Sequence, residues 1–239
     1  NMEKLPHGEF GVMHGLMSVS QLKEVCHKYN VSINDYLVAC FVWSVYKECY
    51  HGMPGNLPIR VAVPVNLRPY FDSVTTKNFF VMISAEVTPT KPPYTFEEVL
   101  SCVTESIKAQ ISKEHLEDLF SYSVSNQKNI WMRPVPLFIK NIAMKAVYSQ
   151  SAVANTTTIT NIGNIKVEKE YEQYIKQFYA FIPMSKGQPM KGTICSYKDT
   201  LVFSFTSVLM DTMVQRSCFR KIAADGIEVT LETNGEYYE

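Results

Sequence analysis

The sequence predicts a single α/β domain in which a mixed β-sheet is flanked by helices. Helical and strand-like hydrophobic patterns alternate along the 239 residues, 46% of which are hydrophobic and only 19% charged. This composition is rich enough to bury a substantial core. Because no linker rich in Pro, Gly and Ser divides the chain, we expect residues 1–239 to form one domain.

Two helices and a strand are predicted in the first third of the chain. A capping box begins at Ser18, and apolar residues follow it at helical spacing to about Asn30. Ser32 caps a second helix that is apolar on most sides, which predicts a buried helix. Alternating apolar residues then predict a strand over Ile59–Val65, where Pro64 indicates an edge position or a bulge.

The middle of the chain is mainly helical. A strand is predicted over Phe79–Val87, and a second capping box at Thr95 begins the next helix. A further helix is predicted over Glu114–Ser125. Another helix follows the proline-containing segment Arg133–Pro136, because proline is favoured where helices begin.

The pattern becomes strand-like beyond Ser151. The β-branched segment is predicted to end at Gly163, and the turn Lys198-Asp199-Thr200 predicts a hairpin. The predicted elements are an extended Thr156–Asn161, an extended Ile175–Ile182, the hairpin strands Gly192–Tyr197 and Leu201–Val208, a helix over Asp211–Ala224 and a strand over Ile227–Leu231.

Charge and cysteine content exclude several classes of function. Twenty-three basic residues balance 23 acidic ones, so no net field attracts nucleic acid or an anionic membrane. The longest apolar run, Tyr36–Tyr46, is too short to span a bilayer. Six scattered cysteines lack metal-ligand spacing and are expected to be reduced apolar thiols. We therefore expect a cytoplasmic protein without a metal site, a nucleic-acid partner or a membrane span.

Common catalytic motifs are absent. The sequence contains no GxSxG elbow, Walker loop, GxGxxG turn or HExxH helix. None of the five histidines stands out as a base, since His115 and Asp118 are best explained as a solvated ion pair one helical turn apart. The informative segments are instead Pro64-Val65-Asn66-Leu67-Arg68-Pro69, Thr158-Ile159-Thr160-Asn161-Ile162-Gly163, and Thr193–Tyr197 paired with Ser204–Ser207.

In this order, these segments resemble the C-terminal half of the chloramphenicol-acetyltransferase-like superfamily. That superfamily includes the condensation domains of nonribosomal peptide synthesis, and bacterial alcohol acetyltransferases look closest. The resemblance runs from about Met17 to the end of the chain. Pro-Val-Asn-Leu-Arg is similar to the condensation pattern Pro-Val-Asp-x-Arg, with Asn66 in place of Asp. Asn161 to Gly163 is similar to the Ser-Asn-x-x-Gly region, with Thr160 in place of Ser.

The resemblance implies an enzyme built from two similar halves with a channel between them. Its catalytic motif is His-His-x-x-x-Asp-Gly, in which the second His is the general base and the Asp pairs with the arginine matching Arg68. No His-His occurs here. Asp225-Gly226 matches the end of the motif, but Lys221 replaces the catalytic His, so an ordinary glycine-capped helix end is expected.

The chain begins with Asn1-Met2 rather than Met, and we expect an isolated C-terminal half whose N-terminal half carries the catalytic motif. Such a half is expected to be inactive alone, because it lacks the general base. The apolar surface left uncovered would favour self-association. The implied reaction is O-acyl transfer of the alcohol acetyltransferase type. Acetyl-CoA or another acyl-CoA would be the co-substrate, a small molecule the acceptor, and no cofactor would be resident.

The resemblance implies roles for seven residues. Arg68 would face the missing half, although a surface ion pair with Asp72 or Glu86 explains it equally well from the sequence alone. Asn161 could equally be a turn residue before Gly163. The polar residues of the hairpin are also explained as the solvent-facing side of a half-exposed strand. The predicted channel residues are Asn66, Asn161, Gly163, Tyr197, Thr206 and Ser207.

Two other functions remain open at this stage. The same fold could serve as a non-catalytic module that binds an acyl chain, a carrier protein or a partner subunit. A self-contained trimeric acetyltransferase with its site between subunits is the other alternative, although the lack of a suitable His argues against it.

Overall fold

A computed structural model describes residues 3–76, 78–91, 93–128, 136–152, 154–185 and 187–235. The described residues form seven strands and seven helices. The strands are β1 (Gly11–Ser18), β2 (Ile59–Asn66), β3 (Phe80–Val87), β4 (Thr157–Asn164), β5 (Met190–Tyr197), β6 (Thr200–Ser207) and β7 (Thr230–Thr233). The helices are α1 (Val19–Tyr29), α2 (Ile33–Cys49), α3 (Arg68–Phe71), α4 (Phe96–Gln110), α5 (Lys113–Lys128), α6 (Leu137–Ala152) and α7 (Met213–Ala224).

All seven strands join one sheet in the order β3-β2-β4-β5-β6-β1-β7. Strand β4 pairs in parallel with β2 and β5, and every other pair in the sheet is antiparallel. The sheet is therefore mixed and flanked by helices, which confirms the predicted fold class.

The core lies between one face of the sheet and the helices. Phe203 and Phe205 of β6 meet Phe41 of α2 and Phe219 of α7, with ring centroids 5.6–6.0 Å apart. Helix α2 is buried along most of its length, as its apolar sides predict. Burial of these large side chains removes most of the apolar surface from water and stabilises the two-layer arrangement.

Capping residues set the beginnings of the helices as the sequence predicts. Thr95 forms a complete capping box with Glu98 at the start of α4. At α1 only half of the predicted box forms. Ser18 accepts from the backbone N–H of Gln21, but the Gln21 side chain accepts from the backbone N–H of Glu228. That side chain therefore anchors the segment before β7 instead of closing the cap.

Strand β1 was not predicted, although it lies inside the sheet between β6 and β7. Gly11, Gly15 and a histidine interrupt its apolar alternation, and glycine is depleted in strands. The reason for Gly15 is steric. The Phe219 ring of α7 packs directly on the backbone of β1 at Gly15. A Cβ atom at this position would lie only 2.1 Å from Cε1 of that ring.

The prediction that Pro64 lies on an edge strand holds only for the part of β2 around Pro64. Strand β2 lies between β3 and β4, so it is not an edge strand. Its pairing with β4 is confined to Val61 and Ala62, opposite Thr157 and Thr158. Pro64 lies beyond this short ladder, where no described residue pairs with β2 on the β4 side, so its missing N–H costs no bond to β4.

Two further predictions are modified. The segment Ile175–Ile182 forms no strand of the sheet and instead crosses the face opposite the helices, where the backbone carbonyls of Phe178 and Ile182 accept from Cys195 and Thr206. The hairpin is confirmed, with Lys198 in the left-handed region at φ 53°.

Of the proline-containing segment before α6, residues 133–135 lie outside the described residues, and only Pro136 is described. All six cysteines are free thiols, and four of them are buried.

Candidate functional site

A cleft lies at the C-terminal end of β2, where this strand and β4 have separated. Its volume is about 450 Å³. The parallel ladder ends at Ala62 and Thr158, and β2 continues to Asn66 without β4 beside it. Ligands commonly bind where neighbouring parallel strands separate at their carboxyl ends. The cleft is lined by the capping residue Ser32, Asn34 and Asp35 of α2, Val63, Pro64 and Val65 of β2, Ile83 of β3, and Ile107, Lys108 and Ile111 at the end of α4.

The first turn of α2 brings polar groups to an otherwise apolar cleft. Ser32 caps the helix by accepting from the backbone N–H of Asp35 at 3.1 Å, and the Asp35 side chain is buried. Helix N-termini present unsatisfied N–H groups and favour negative charge. The cleft therefore combines apolar walls with a polar end, which is the usual make-up of a small-molecule site.

Asn161 and Gly163 lie beside this polar end. The Asn161 side chain donates from Nδ2 to Oδ1 of Asn34 at 3.3 Å and accepts from the backbone N–H of Gly163 at 2.9 Å. Gly163 has φ 82°, and the β4–β5 register shifts between these two residues. Asn161 thus forms the local turn that the sequence suggested and also contacts a residue that lines the cleft. Its role in a channel stays a prediction.

Asn66 and Arg68 form a second local unit at the end of β2. Asn66 Oδ1 accepts from the backbone N–H of Arg68 at 3.1 Å and from its Nη1 at 3.2 Å. Arg68 Nε donates to the carbonyl oxygen of Thr75 at 3.0 Å, so the guanidinium is held against its own loop. Glu86, one partner suggested by the sequence, accepts instead from Arg60 Nε at 2.7 Å.

Tyr197 lies at the same end of the sheet but on the face away from the helices. Its ring packs against Phe178 with centroids 5.2 Å apart, and alternation along β5 places it on the same face as Cys195. The phenol oxygen is buried without a hydrogen-bond partner among the described residues. This site is therefore separated from the α2 cleft by the sheet itself.

Thr206 and Ser207 lie near the opposite end of β6. Thr206 is six positions beyond Thr200, which places it about 20 Å along the strand. Its hydroxyl donates to the Ile182 carbonyl at 2.8 Å, and the Ser207 hydroxyl accepts from the backbone N–H of Leu209 at 3.0 Å. Of the predicted channel residues, Asn161 and Gly163 lie beside the cleft, and Asn66 is the last residue of β2, which lines it. The hairpin residues Tyr197, Thr206 and Ser207 do not line the cleft.

A histidine network on the opposite face was missed by sequence reasoning. His14 Nδ1 lies 2.7 Å from Ser204 Oγ, and the imidazole packs against Tyr179 with centroids 4.8 Å apart. Tyr179 donates to Glu232 at 2.6 Å. Burial lowers the pKa of His14, although the nearby Glu232 carboxylate opposes this change. No sequence signal marked this network, because the strand that carries His14 was itself not predicted.

The network has limited access to substrate. Ser204 is buried in the middle of β6, with β5 and β1 on either side. A hydroxyl enclosed in this way cannot approach a substrate carbonyl, so Ser204 is unsuited to act as a nucleophile. Within the described ranges, no three His, Cys, Asp or Glu residues are grouped to hold a metal ion, and no helix is long and apolar enough to cross a bilayer.

Comparison with known proteins gives no match to a family model and no match to a curated protein. Solved structures do resemble the chain. F. sporotrichioides TRI101 complexed with coenzyme A and T-2 has a TM-score of 0.62 at 9% identity, over 97% of this chain and 53% of that one. The wax ester synthase/diacylglycerol acyltransferase from Marinobacter aquaeolei VT8 has a TM-score of 0.54 at 13% identity, over 94% and 51%.

The epimerization domain from the third module of tyrocidine synthetase B also resembles this chain, with a TM-score of 0.55 at 9% identity over 94% of this chain and 50% of that domain. At such low identities the likeness concerns the fold alone. The chain therefore has the chloramphenicol-acetyltransferase-like fold, and it spans about half the length of these three solved proteins.

Proposed function

We propose that this chain is the C-terminal half of an acyl-CoA-dependent O-acyltransferase of the alcohol acetyltransferase type. One observation carries the proposal. Between 94% and 97% of this chain matches about half of the wax ester synthase/diacylglycerol acyltransferase and about half of TRI101, whose solved structure contains coenzyme A. The α2 cleft would form one wall of the tunnel for the acyl group and the acceptor. Acetyl-CoA or another acyl-CoA would be the co-substrate, and the six free thiols fit a reducing cytoplasm.

The chemistry of the cleft supports inactivity of the chain alone. Acyl transfer to a hydroxyl needs a general base within hydrogen-bond reach of the acceptor proton. The ionisable side chains that line the cleft are Asp35 and Lys108, and among the described residues no histidine lines it. His14 lies on the other face of the sheet against Ser204. The other histidines, His7, His27, His51 and His115, are exposed to solvent outside the cleft.

An exposed apolar surface supports contact with a second half, and it lies at the same end of the β2–β3 ladder as the cleft but on the sheet face away from the helices. Phe80 and Met82 of the edge strand β3 are 50% and 44% exposed, and they lie opposite Asn66 and Pro64 in the β2–β3 ladder. Opposed residues of a ladder share one face of the sheet. We assign this surface to the missing half and Arg68, at the end of β2, to an ion pair across that interface. A guanidinium has five N–H donors, so such a pair is compatible with its bonds to Thr75 and Asn66.

The test joins this chain to an upstream half that contains His-His-x-x-x-Asp-Gly. Release of the coenzyme A thiol from acetyl-CoA is measured with a panel of alcohols. We expect turnover by the joined protein and none by this chain alone. Arg68→Ala should lower turnover at least tenfold, whereas Arg60→Ala, in β2 and paired with Glu86, should not. Turnover by this chain alone would overturn the proposal and make Asp35 the first candidate base.

One observation favours the alternative function, a non-catalytic binding module. An apolar cavity of about 310 Å³ lies at the far end of the sheet, within the size range of small-ligand sites. Phe10, Phe181, Met184 and Val208 contribute its apolar walls and Thr206 a hydroxyl. A medium-chain acyl group would suit such walls. Two results together would favour this function. The chain would bind a fluorescent fatty acid and the Met184→Trp variant would not, and the joined protein would show no turnover.

A further inference from the structure

A groove of about 340 Å³ lies between α7 and the edge strand β7. We call it the β7 groove, and it is lined by Arg216, Phe219, Arg220, Ala223, Val229 and Leu231. Strand β7 is at one edge of the sheet, whereas β3, which carries the surface assigned to the missing half, is at the other. The β7 groove is therefore separate from the α2 cleft and from the proposed interface.

The backbone of β7 has hydrogen-bonding groups that face away from the sheet. The backbone N–H of Asn234, directly after β7, donates to the carbonyl oxygen of Val12 at 3.3 Å. Backbone groups of successive residues point to opposite sides of a strand, so those of Leu231 and Thr233 point away from β1. Within the described part of the chain, no strand pairs with β7 on that side. The edge can therefore pair with the backbone of one more extended segment.

Two arginines give the groove a positive charge. Arg216 and Arg220 are four residues apart on α7, so their side chains lie on one face of the helix, about 6 Å apart along its axis. Both are exposed, and the ion pairs among residues that the structure describes include neither guanidinium. A guanidinium binds a carboxylate through two parallel N–H donors. The pair therefore favours two carboxylates at a similar spacing.

An extended segment presents carboxylates at that spacing. Side chains two positions apart in a strand lie on one face, about 7 Å apart, so acidic residues at positions i and i+2 can each meet one arginine. Leu231 lies opposite Gly15, against which the Phe219 ring packs, so Leu231 is on the sheet face that carries α7. It is 47% exposed, since Gly15 has no side chain to cover it. An apolar side chain beside the acidic pair would cover it.

We propose that the β7 groove binds an acidic extended segment of a partner protein, which adds to the sheet as a further strand beside β7. The backbone of this segment bonds to the outward N–H and C=O groups of Leu231 and Thr233. Its carboxylates at positions i and i+2 pair with Arg216 and Arg220, and an apolar side chain at i+4 packs on Leu231. The proposal does not depend on the acyltransferase assignment.

Fluorescence anisotropy with labelled peptides tests the proposal. The first peptide is Thr-Glu-Thr-Glu-Thr-Val-Thr. One control peptide has lysine in place of both glutamates, and the other has N-methylated amides at its second glutamate and at the following threonine. These methyl groups remove N–H donors from both sides of the strand but keep every side chain. We expect saturable binding of the first peptide at low salt, and at least roughly tenfold weaker binding of each control peptide.

The contribution of the arginines is tested with Arg216→Gln combined with Arg220→Gln, which should weaken binding of the first peptide at least roughly tenfold. Lys47→Gln combined with Lys113→Gln is the matched control. It removes the same charge from exposed positions outside the groove, and it should bind the peptide like the parent chain. Because all four side chains are exposed, we expect these variants to fold, and circular dichroism checks this.

The apolar contribution is tested with Leu231→Thr, which should weaken binding at least roughly threefold. Leu57→Thr is the control, since Leu57 is 73% exposed in a loop and does not line the groove. Three outcomes would overturn the proposal: no binding of the first peptide, equal binding of its N-methylated form, or equal binding by the double arginine variant and the double lysine variant. Binding that appears only after removal of residues 236–239 would also overturn it, because the same chain would then fill the groove.

Discussion

The side chain of Asn161 donates a hydrogen bond of 3.3 Å to Asn34, a residue 127 positions earlier in the sequence. This bond joins β4, just beyond the point where β4 leaves β2, to the first turn of α2. Both residues adjoin the polar end of the cleft. The bond therefore links the end of β4 to the start of α2 beyond the point where the β2–β4 ladder stops.

A double-mutant cycle measures this bond. Asn34→Ala and Asn161→Ala each remove one partner, and we expect a coupling free energy of about 0.5–1 kcal/mol in urea unfolding. Asn56, in the exposed loop that follows α2, is the control, and Asn56→Ala should be additive with Asn34→Ala. Additivity of the Asn34 and Asn161 substitutions would contradict the bond.

Asp225 belongs to a largely buried ion pair at a position where the sequence predicts an ordinary helix end. Lys221 Nζ lies 2.5 Å from Asp225 Oδ1, with the two side chains 16% and 13% exposed, and Tyr36 donates to the other carboxylate oxygen at 2.7 Å. The ammonium also lies 3.9 Å from the centroid of the Phe96 ring. The carboxylate therefore joins α2 to the end of α7, which explains its place next to Gly226 without any catalytic role.

Removal of one charge of this pair leaves the other largely shielded from water and without its partner. We expect Asp225→Ala to lower the free energy of unfolding by about 3 kcal/mol, measured in urea. Lys221→Met in the Asp225→Ala background should recover part of the loss. The exposed pair of Lys91 and Glu98, at 61% and 40%, provides the comparison, and Lys91→Ala should cost under about 1 kcal/mol. Equal losses for the two sites would show that burial is not the cause.

Gly15 is required by packing rather than by backbone conformation. A methyl group there would overlap the ring of Phe219, which is buried between β1 and the core. We expect Gly15→Ala to cost about 1–3 kcal/mol, measured by thermal or urea unfolding. Phe219→Leu should cost less in the Gly15→Ala background than in the parent chain, because the smaller side chain makes room for the methyl group. Independent, additive losses would argue against direct contact.

Local sequence patterns were sufficient for most of the fold. The capping residues Ser18, Ser32 and Thr95 and the all-round apolar character of α2 depend on neighbours in sequence, and each is found where it was predicted. Strand β1 was missed because Gly15 is selected by α7, which lies some 200 residues away in the chain. A tertiary contact of this kind leaves no local pattern.

The candidate site was harder to predict than the fold. The resemblance implied channel roles for Asn161 and Gly163, and both lie beside the cleft. The same resemblance implied a channel role for Thr206, but β6 carries that residue about 20 Å from the β5–β6 turn. Local patterns also offered no reason to expect Asn34 or Asp35 in the cleft, because their position depends on how α2 packs against β2.

His14 provides a pH-dependent test of the network on the other face. Burial by Tyr179 and Phe181 lowers its pKa below the ordinary 6.5, against the opposing effect of Glu232. The unfolded chain therefore takes up this proton first, and stability present above pH 6.5 is lost as the pH falls toward the folded pKa. We expect the free energy of unfolding to fall more steeply below pH 6.5 in the parent than in His14→Asn. The exposed His27 is the control, since His27→Asn should keep the parent slope, and a parent slope in His14→Asn would contradict the assignment.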